Sequence, residues 1–347
     1  MSLPDPAPAR KPSRLGLYAP IAILLALIAA WSIAWFAARS QAQTRMDAAV
    51  AGLEQSGYRI GWRRREIGGY PFRIDVTLSD FKVRGPSGWG LSAPTLEGEA
   101  YLLSVTHWIF AAPAGLTFVR PEAGPVAVSG KLIRASLSHF DQRPPSFDLE
   151  GVGLAFQPAP GGQPFALSAA DRVEFHLRAG PDDQGGVFLE VEKGKARLAG
   201  LFARIAGGKP ISIVWNSTLS KMSAFTGKDW PAAVRHWADA GGQMTVRQAG
   251  VTAGEALIGC NAGTLSVGAD GRLQGVLDVT LRQAPRALGA MGESGVLPRE
   301  TADAAAAVAR AREGADHAAR ATLDFQAGRT TLGPVSIGPA PKVYDTR

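Results

Sequence analysis

The chain has 347 residues, 41 of them glycine and only 19% charged, so it can bury a sizeable core and is too apolar to be disordered. Of its net charge of +7, only +4 lies outside the N-terminal segment, where it is dispersed, which argues against a nucleic-acid-binding protein. Cys260 is the single cysteine, which excludes an intramolecular disulfide and a multi-cysteine metal site.

An uncharged segment occupies residues 15–38. At about 1.5 Å per helical residue it reaches roughly 36 Å, enough to cross a hydrocarbon core of about 30 Å. Trp31, Trp35 and Phe36 lie toward its far end and are predicted to sit at the membrane interface. Basic residues dominate residues 1–14, so the positive-inside rule predicts a cytoplasmic N-terminal tail and an exported body.

A cleaved signal peptide is the main alternative, with a small-x-small site at Ser40-Gln41-Ala42. The apolar run is longer than the roughly 7–15 residues of a signal peptide, so an uncleaved anchor is favoured. A cytoplasmic C-terminal domain is a third reading. Residues 39–57 are predicted to extend the helix, with an apolar face that either packs on the first strands or lies on the membrane. That face consists of Met46, Ala49, Val50 and Leu53.

From residue 58 onward the apolar period changes to two, as in β-strands. The step from Leu78 to Phe81 breaks the phase and predicts a bulge. Many strand-like runs follow, separated by glycine and proline, and Asp270-Gly271 is a strong hairpin signal. The predicted fold is mainly β (β-rich α+β): a transmembrane helix, then a long antiparallel, curved or sandwich-like sheet over 58–347 with a few packed helices.

Two helices are predicted within the strand-rich part. One begins at Asp229-Trp230-Pro231, where a capping residue precedes a first-turn proline, and ends at Gly241-Gly242. It marks a candidate subdivision of the domain near residues 220–243. The other covers 298–321 and carries a stripe of alanines suited to close packing.

No motif for catalysis, a metal or a cofactor is found. The five histidines are far apart, and Ser138, His139 and Asp141 are too close in sequence for a triad on a strand. Glycine-lysine pairs lack the Ser/Thr of a phosphate loop. These absences favour a protein that is not an enzyme and has no cofactor or metal.

Four arginines follow the predicted membrane exit closely and are predicted to bind lipid headgroups: Arg59, Arg63, Arg64 and Arg65. The alternative is an ordinary exposed strand face balanced by nearby carboxylates. The apolar strand faces also leave two alternatives open. An open curved sheet would hold acyl chains, whereas a closed sandwich would hide the same side chains.

Two stretches near the start of the strand region, Gly57-Tyr58-Arg59-Ile60-Gly61-Trp62 and Gly68-Gly69-Tyr70-Pro71-Phe72-Arg73-Ile74, resemble the opening of the domain-of-unknown-function 2125 family of Gram-negative envelope proteins. The closing 328–334 and 339–341 are similar to that family's end. The resemblance implies an exported, anchored, β-rich protein and brings no catalytic residues. The helix-plus-long-sheet plan also resembles, loosely, the AsmA-like envelope proteins, which are associated with lipid movement.

The sequence therefore predicts a single-pass inner-membrane protein with a cytoplasmic N-terminus and a periplasmic body. We expect it to bind or guide lipid or to support envelope assembly, with inner-membrane lipids and another envelope protein as candidate partners and no nucleic acid. The alternative is a structural or adaptor protein that binds a partner through an edge strand or the Ala-rich helix. An envelope hydrolase is less favoured.

Overall fold

The computed structural model of the chain describes residues 15–104, 106–196, 208–227, 229–254, 256–293, 298–312 and 318–344. The predicted cytoplasmic tail, residues 1–14, lies outside these ranges.

The N-terminal helix α1, Leu15–Gln55, is continuous over the predicted membrane span, 15–38, and nearly all of the predicted helical extension, 39–57. Its 41 residues correspond to roughly 60 Å. By length and composition it can cross a membrane, as an anchor or as a signal sequence does, with a mean hydropathy of 2.3 in its apolar part. Pro20 lies inside it, near the N-terminal end, where a helix tolerates proline best.

Eighteen strands are present in the described residues, and together they form one antiparallel sheet. The first nine are β1 (Arg59–Gly61), β2 (Arg64–Gly68), β3 (Arg73–Arg84), β4 (Gly90–Tyr101), β5 (Trp108–Ala111), β6 (Leu116–Arg120), β7 (Gly124–Ser129), β8 (Leu132–Ser138) and β9 (Ser146–Pro158). The second nine are β10 (Leu167–Gly180), β11 (Gln184–Ala196), β12 (Ile211–Leu219), β13 (Met244–Ala253), β14 (Ala256–Val267), β15 (Leu273–Arg282), β16 (Ala318–Gln326), β17 (Arg329–Leu332) and β18 (Val335–Pro339).

The strand order is almost that of a simple meander. Strands β1 and β2 both pair with β3, β4 follows, and β5 and β6 share the other edge of β4. Strand β5 pairs with β8, and β6 pairs with β7. Strands β7 and β8 then both pair with β9. From β9 to β18 each strand pairs with the next. The predicted mainly β fold with a long antiparallel sheet is confirmed.

One face of the sheet is apolar across most of its width. Cross-strand partners point to the same face, so the register can be followed from strand to strand. One row of cross-strand partners begins in β5, passes to β8, and then includes one residue from each strand from β9 to β16. Every residue in this row is apolar. Its members are Phe110, Ala135, Leu149, Phe175, Leu189, Trp215, Ala249, Cys260, Val279 and Ala321.

A residue with left-handed backbone keeps the apolar face of β3 in phase. Asp80 has a left-handed φ of 53° and lies between the paired residues Ser79 and Phe81. The apolar side chains on either side of it, Leu78 and Phe81, therefore reach one buried cluster. The phase change predicted at the Leu78-to-Phe81 step is present, but the predicted bulge is not: Ser79 pairs with Thr95 and Phe81 with Ala93 in one register, so the change comes from the left-handed backbone of Asp80 and not from an extra residue.

Helices cover the apolar face at both ends of the sheet. α1 packs over β2 to β4 through Trp35, Ala38, Ala42 and Met46. At the other end lie α2 (Trp230–Asp239), α3 (Ala284–Glu293) and α4 (Arg299–Ala311). α2 begins at the predicted cap, where the Asp229 side chain accepts the Ala232 N–H at 2.9 Å. The connection 220–243 that contains it does not interrupt the sheet, because β12 pairs directly with β13.

The prediction of one helix over 298–321 is wrong at its C-terminal end. α4 stops at Ala311, residues 313–317 lie outside the described part, and Ala318 begins β16. Alanine has high helix propensity, but that preference is a weak prior. Pairing with β15, as in Ala319 with Leu281, supplies backbone hydrogen bonds that override it. The helix α3 was not predicted.

Candidate functional site

The junction between α1 and the sheet is held by Trp35. Its side chain is only 3% exposed and packs with Ile74 and Val76 of β3. The indole N–H donates a hydrogen bond to the Arg73 carbonyl at 2.8 Å, and the ring meets Tyr70 edge-on with centroids 5.4 Å apart. A tryptophan that is predicted to face the membrane interface is therefore the core residue that joins helix and sheet.

The β2–β3 loop completes this junction one turn closer to the N-terminus. The Trp31 indole donates to the Pro71 carbonyl at 2.8 Å, and the Ser32 hydroxyl lies 2.9 Å from the Tyr70 hydroxyl. Phe72 packs against Trp31 with ring centroids 6.4 Å apart. The Gly-Tyr-Pro-Phe-Arg stretch that carries the family resemblance thus serves to dock the sheet on the helix.

Of the three predicted interface residues, only Phe36 is left largely uncovered, with 57% of its side chain exposed. Trp31 is half-buried, and Trp35 is buried. The sequence analysis missed the loop that covers them. The isolated Gly-Gly-Tyr-Pro-Phe run, aromatic but lacking the period of a strand, was the only signal for it.

The centre of the apolar face carries six side chains of β9, β10 and β11 that we call the apolar stripe. They are half-buried and belong to none of the buried clusters formed by the described residues. Phe147 and Phe175 are in ring contact at 6.0 Å. The stripe consists of Phe147, Leu149, Phe175, Leu177, Val187 and Leu189.

The stripe is continuous with the junction at α1. Trp108 packs against the cluster that contains Trp35. It is paired with Leu137, Leu137 with Phe147, and Phe147 with Leu177, all on the apolar face. An apolar path therefore leads from the base of the helix to the middle of the sheet.

The opposite face of the same strands is a ladder of ion pairs. Asp148 accepts hydrogen bonds from Ser136 at 2.7 Å and from His176 at 2.6 Å, and it pairs with Arg178 at 2.6 Å. Partial burial acts to raise the pKa of Asp148, but these bonds from Arg178, His176 and Ser136 outweigh it and hold the pKa below its usual value.

Glu150 continues the ladder one pair along, where it binds the guanidinium groups of Arg134 at 2.7 Å and Arg172 at 2.9 Å. The hydrogen bond from Arg134 is the main reason that the pKa of Glu150 lies below its usual value. Both carboxylates are thus ionised and paired at neutral pH, and this face of the sheet is suited to water.

These contacts do not assemble a hydrolytic centre. Asp148 lies between the Ser136 hydroxyl and the His176 ring, so the imidazole does not contact the hydroxyl as a general base would. Ser138 does contact the neighbouring His139 ring at 3.1 Å, but no described carboxylate is seen to orient that ring. Within the described residues, no group of three His, Cys, Asp or Glu side chains is arranged to hold a metal ion.

The four predicted headgroup-binding arginines do not converge. Arg65 is paired with Leu78 on the apolar face and binds Asp47 of α1 at 2.5 Å, whereas Arg64 is paired with Ser79 on the other face and binds Glu66 at 2.8 Å. Arg63 binds Asp80 at 2.8 Å, and Arg59 lies on β1 opposite Arg84.

Their distance from the predicted membrane interface at Trp35 is also unfavourable for headgroup binding. Asp47 follows Trp35 by twelve residues, which is about 18 Å along the helix, roughly twice a physiological Debye length of about 8 Å. Headgroup binding by these four arginines together stays a prediction, and three of them already have carboxylate partners in the chain.

The alanine stripe of α4 is occupied within the chain. Ala305, Ala306 and Ala309 pack with Leu288 of α3 and Ala319 of β16. Binding of a partner through this helix stays a prediction.

Comparison with known proteins gives one match. The sequence model of a family described as an uncharacterized protein conserved in bacteria (DUF2125) matches residues 35–341. No curated protein and no solved structure shows a significant match.

Proposed function

The chain belongs to the DUF2125 family of bacterial proteins, and we propose that it is a membrane-anchored, non-enzymatic lipid-binding protein whose apolar stripe takes lipid acyl chains. In this proposal α1 is a single span with its N-terminus in the cytoplasm. The sheet stands in the periplasm, where it binds or guides lipid that leaves the inner membrane.

The observation that carries the proposal is the apolar stripe and its continuity with the helix. Six large side chains, from Phe147 to Leu189, are only half-buried, and in β9 and β10 they alternate with charged residues or histidine of the opposite face. A soluble protein rarely leaves such a surface uncovered unless it binds something apolar. The stripe is in register with Trp108 beside the helix, so an acyl chain would enter it from the membrane side.

The size of the face suits lipid. From β5 to β12 the sheet crosses five strand spacings, or about 24 Å. Half of a hydrocarbon core of about 30 Å, the length that one acyl chain fills, is about 15 Å. Covering the remaining exposed part of each stripe side chain is worth about 1 kcal/mol, or about 6 kcal/mol in all. That total lies between millimolar and micromolar affinity, which suits exchange of lipid more than permanent retention.

An anchor explains the junction better than a cleaved signal does. Cleavage after Ala42 would remove Trp35, whose indole fills the core above Ile74 and binds the Arg73 carbonyl. The family match likewise begins at residue 35, on the helix. We therefore expect the mature protein to keep its N-terminal helix, which mass determination of the purified protein would test.

Site-specific photocrosslinking tests lipid binding directly. A photoreactive phenylalanine analogue would replace Phe175 in the apolar stripe, and in a matched control it would replace Phe188. Phe188 lies on the adjacent strand but on the polar face, with its ring 5.7 Å from His176. The full chain would be irradiated in native membranes, purified and analysed for lipid adducts by mass spectrometry.

We expect lipid adducts at position 175 and none above background at position 188. Equal labelling at both positions would mean only incidental contact with the bilayer. Adducts to a single protein at position 175, with no lipid, would instead support the adaptor alternative.

A further inference from the structure

Two uncharged loops lie side by side at the end of the sheet that meets α1. They are residues 68–72, Gly-Gly-Tyr-Pro-Phe, and 101–104, Tyr-Leu-Leu-Ser. The Leu102 N–H donates to the Phe72 carbonyl at 3.0 Å, which joins the two loops. Four of their large side chains are largely exposed, with Phe72 67% and Leu103 87% exposed and Tyr70 and Tyr101 exposed as well. A patch of this kind marks an interaction surface.

The depth of these loops in the bilayer follows from their contacts with α1. About 20 helical residues fill a hydrocarbon core, and the uncharged segment has 24, at positions 15–38. Every placement of 20 residues within that segment includes Trp31 and Ser32. These are the two residues that hold the first loop, through the Pro71 carbonyl and the Tyr70 hydroxyl. Ser32 then lies about 3–9 Å inside the end of the hydrocarbon core, which places the loop in the outer part of the leaflet.

The loop backbone is suited to such a place, because polar groups left unpaired in lipid are costly. Pro71 has no N–H, and its carbonyl accepts the Trp31 indole at 2.8 Å. The Gly69 carbonyl accepts the Arg73 N–H at 2.9 Å, and the Phe72 carbonyl accepts Leu102. The carbonyls of Gly69, Pro71 and Phe72 are thus hydrogen-bonded within the protein.

Charges appear only farther from the membrane centre. Arg39, the first charge after the span, lies over the Trp35 ring at 6.0 Å and is about 10 Å beyond Ser32 along the helix. Arg73 pairs with Glu99 at 2.9 Å, just above the loops on the polar face. This order, with apolar and aromatic side chains below and charges above, is that of a membrane interface.

We propose that the two loops form a second membrane contact, which inserts Phe72 and Leu103 into the leaflet from which the sheet emerges. The contact fixes the sheet relative to the bilayer and brings Trp108, the start of the apolar path, next to the lipid. The proposal rests on α1 spanning the membrane, which is part of the proposed function, but it does not require that the apolar stripe carries lipid.

Depth-dependent quenching tests the contact. In the full chain with the buried Cys260 replaced by alanine, single cysteines would be placed by Phe72→Cys, Leu103→Cys, Ile23→Cys and Ser87→Cys. Each variant would carry an environment-sensitive fluorophore in nanodiscs of phosphatidylethanolamine and phosphatidylglycerol, with and without a doxyl-labelled acyl chain. Position 23 reports on the span, and Ser87 is an exposed residue in the β3–β4 turn at the opposite end of the strands.

We expect doxyl quenching at positions 72 and 103 to be several-fold stronger than at position 87 and close to that at position 23. Introducing Leu103→Asp should reduce quenching of the label at position 72 without changing the thermal midpoint, because Leu103 is 87% exposed.

Quenching at position 23 alone would overturn the loop contact while leaving the anchor intact. Quenching at none of the positions would overturn both the contact and the anchor. Protection of positions 72 and 103 from both doxyl lipid and aqueous iodide would show that a protein, not lipid, covers the loops, and would also overturn the contact.

Discussion

Truncation of Trp35 should separate the sheet from the helix at a defined energetic cost. Replacing a buried tryptophan by alanine costs about 3–5 kcal/mol through lost burial and the cavity that remains. Trp35 is 3% exposed and contacts Ile74, Val76 and Tyr70. We expect Trp35→Ala to fall near the low end, about 3 kcal/mol, because the unfolded sheet leaves this residue at the membrane interface, where tryptophan is favourable.

Two further variants divide this cost and control for it. Trp35→Phe keeps most of the apolar ring and loses the hydrogen bond to the Arg73 carbonyl, so we expect a loss of about 1 kcal/mol. Phe36→Ala removes the neighbouring aromatic side chain, which is 57% exposed, and should cost less than about 1 kcal/mol.

The measurement is urea unfolding of the sheet in nanodiscs, followed by β-sheet circular dichroism and by pulse proteolysis, which reports the population of unfolded sheet. The three variants should rank Trp35→Ala, then Trp35→Phe, then Phe36→Ala in destabilisation. An equal effect of Trp35→Ala and Phe36→Ala would refute the reasoning, because it would mean that the helix is not packed against β3.

Three other outcomes follow from the structure. The pKa of Asp148 is lowered by folding, so its stabilising contribution should be complete above about pH 4 and be lost as pH falls through the lower folded pKa. Asp148→Asn should therefore destabilise the protein at pH 7. It should also reduce the fall of the urea unfolding midpoint that occurs as the pH is lowered below about 4. An unchanged fall at acid pH would count against the ion-pair ladder. Burial raises the pKa of Cys260, so its thiol should resist maleimide at neutral pH and react only after unfolding. Mass spectrometry would measure the labelling, and rapid labelling of the folded protein would contradict the position of Cys260 in the core. Gly275 has a φ of 123°, and a Cβ there would lie 2.1 Å from the Thr264 carbonyl oxygen, so Gly275→Ala should cost about 2 kcal/mol or more in urea unfolding. Gly289→Ala, in a helix with open space around the site, should instead stabilise by about 0.5–1 kcal/mol.

The sequence by itself determined the local properties of this chain. An uncharged run at 15–38 is a long apolar helix whatever surrounds it, and alternation along β3 or β15 requires one apolar strand face. The hairpin at Asp270-Gly271 and the helix cap at Asp229 also depend on a few adjacent residues. Each of these predictions is confirmed because its physical cause lies within one turn or one strand.

Tertiary structure decided which of these elements meet. Trp31 and Trp35 are bound to residues 40 and 38 positions away in sequence, respectively, and no local pattern identifies Pro71 and Arg73 as their partners. The four arginines near β1 and β2 form a cluster in sequence, yet pairing with β3 turns Arg64 and Arg65 to opposite faces. Strand pairing likewise placed residues 318–321, which were predicted as the end of a helix, at the start of β16.

The candidate lipid surface depends on the same long-range choice. Period two predicts an apolar face for each strand separately, but only the register places Leu149, Phe175 and Leu189 side by side. A shift of one residue in any strand would turn its side chains to the charged face and break the row. Register is set by all the neighbouring strands together, which is why it could be read from the structure and not from the sequence.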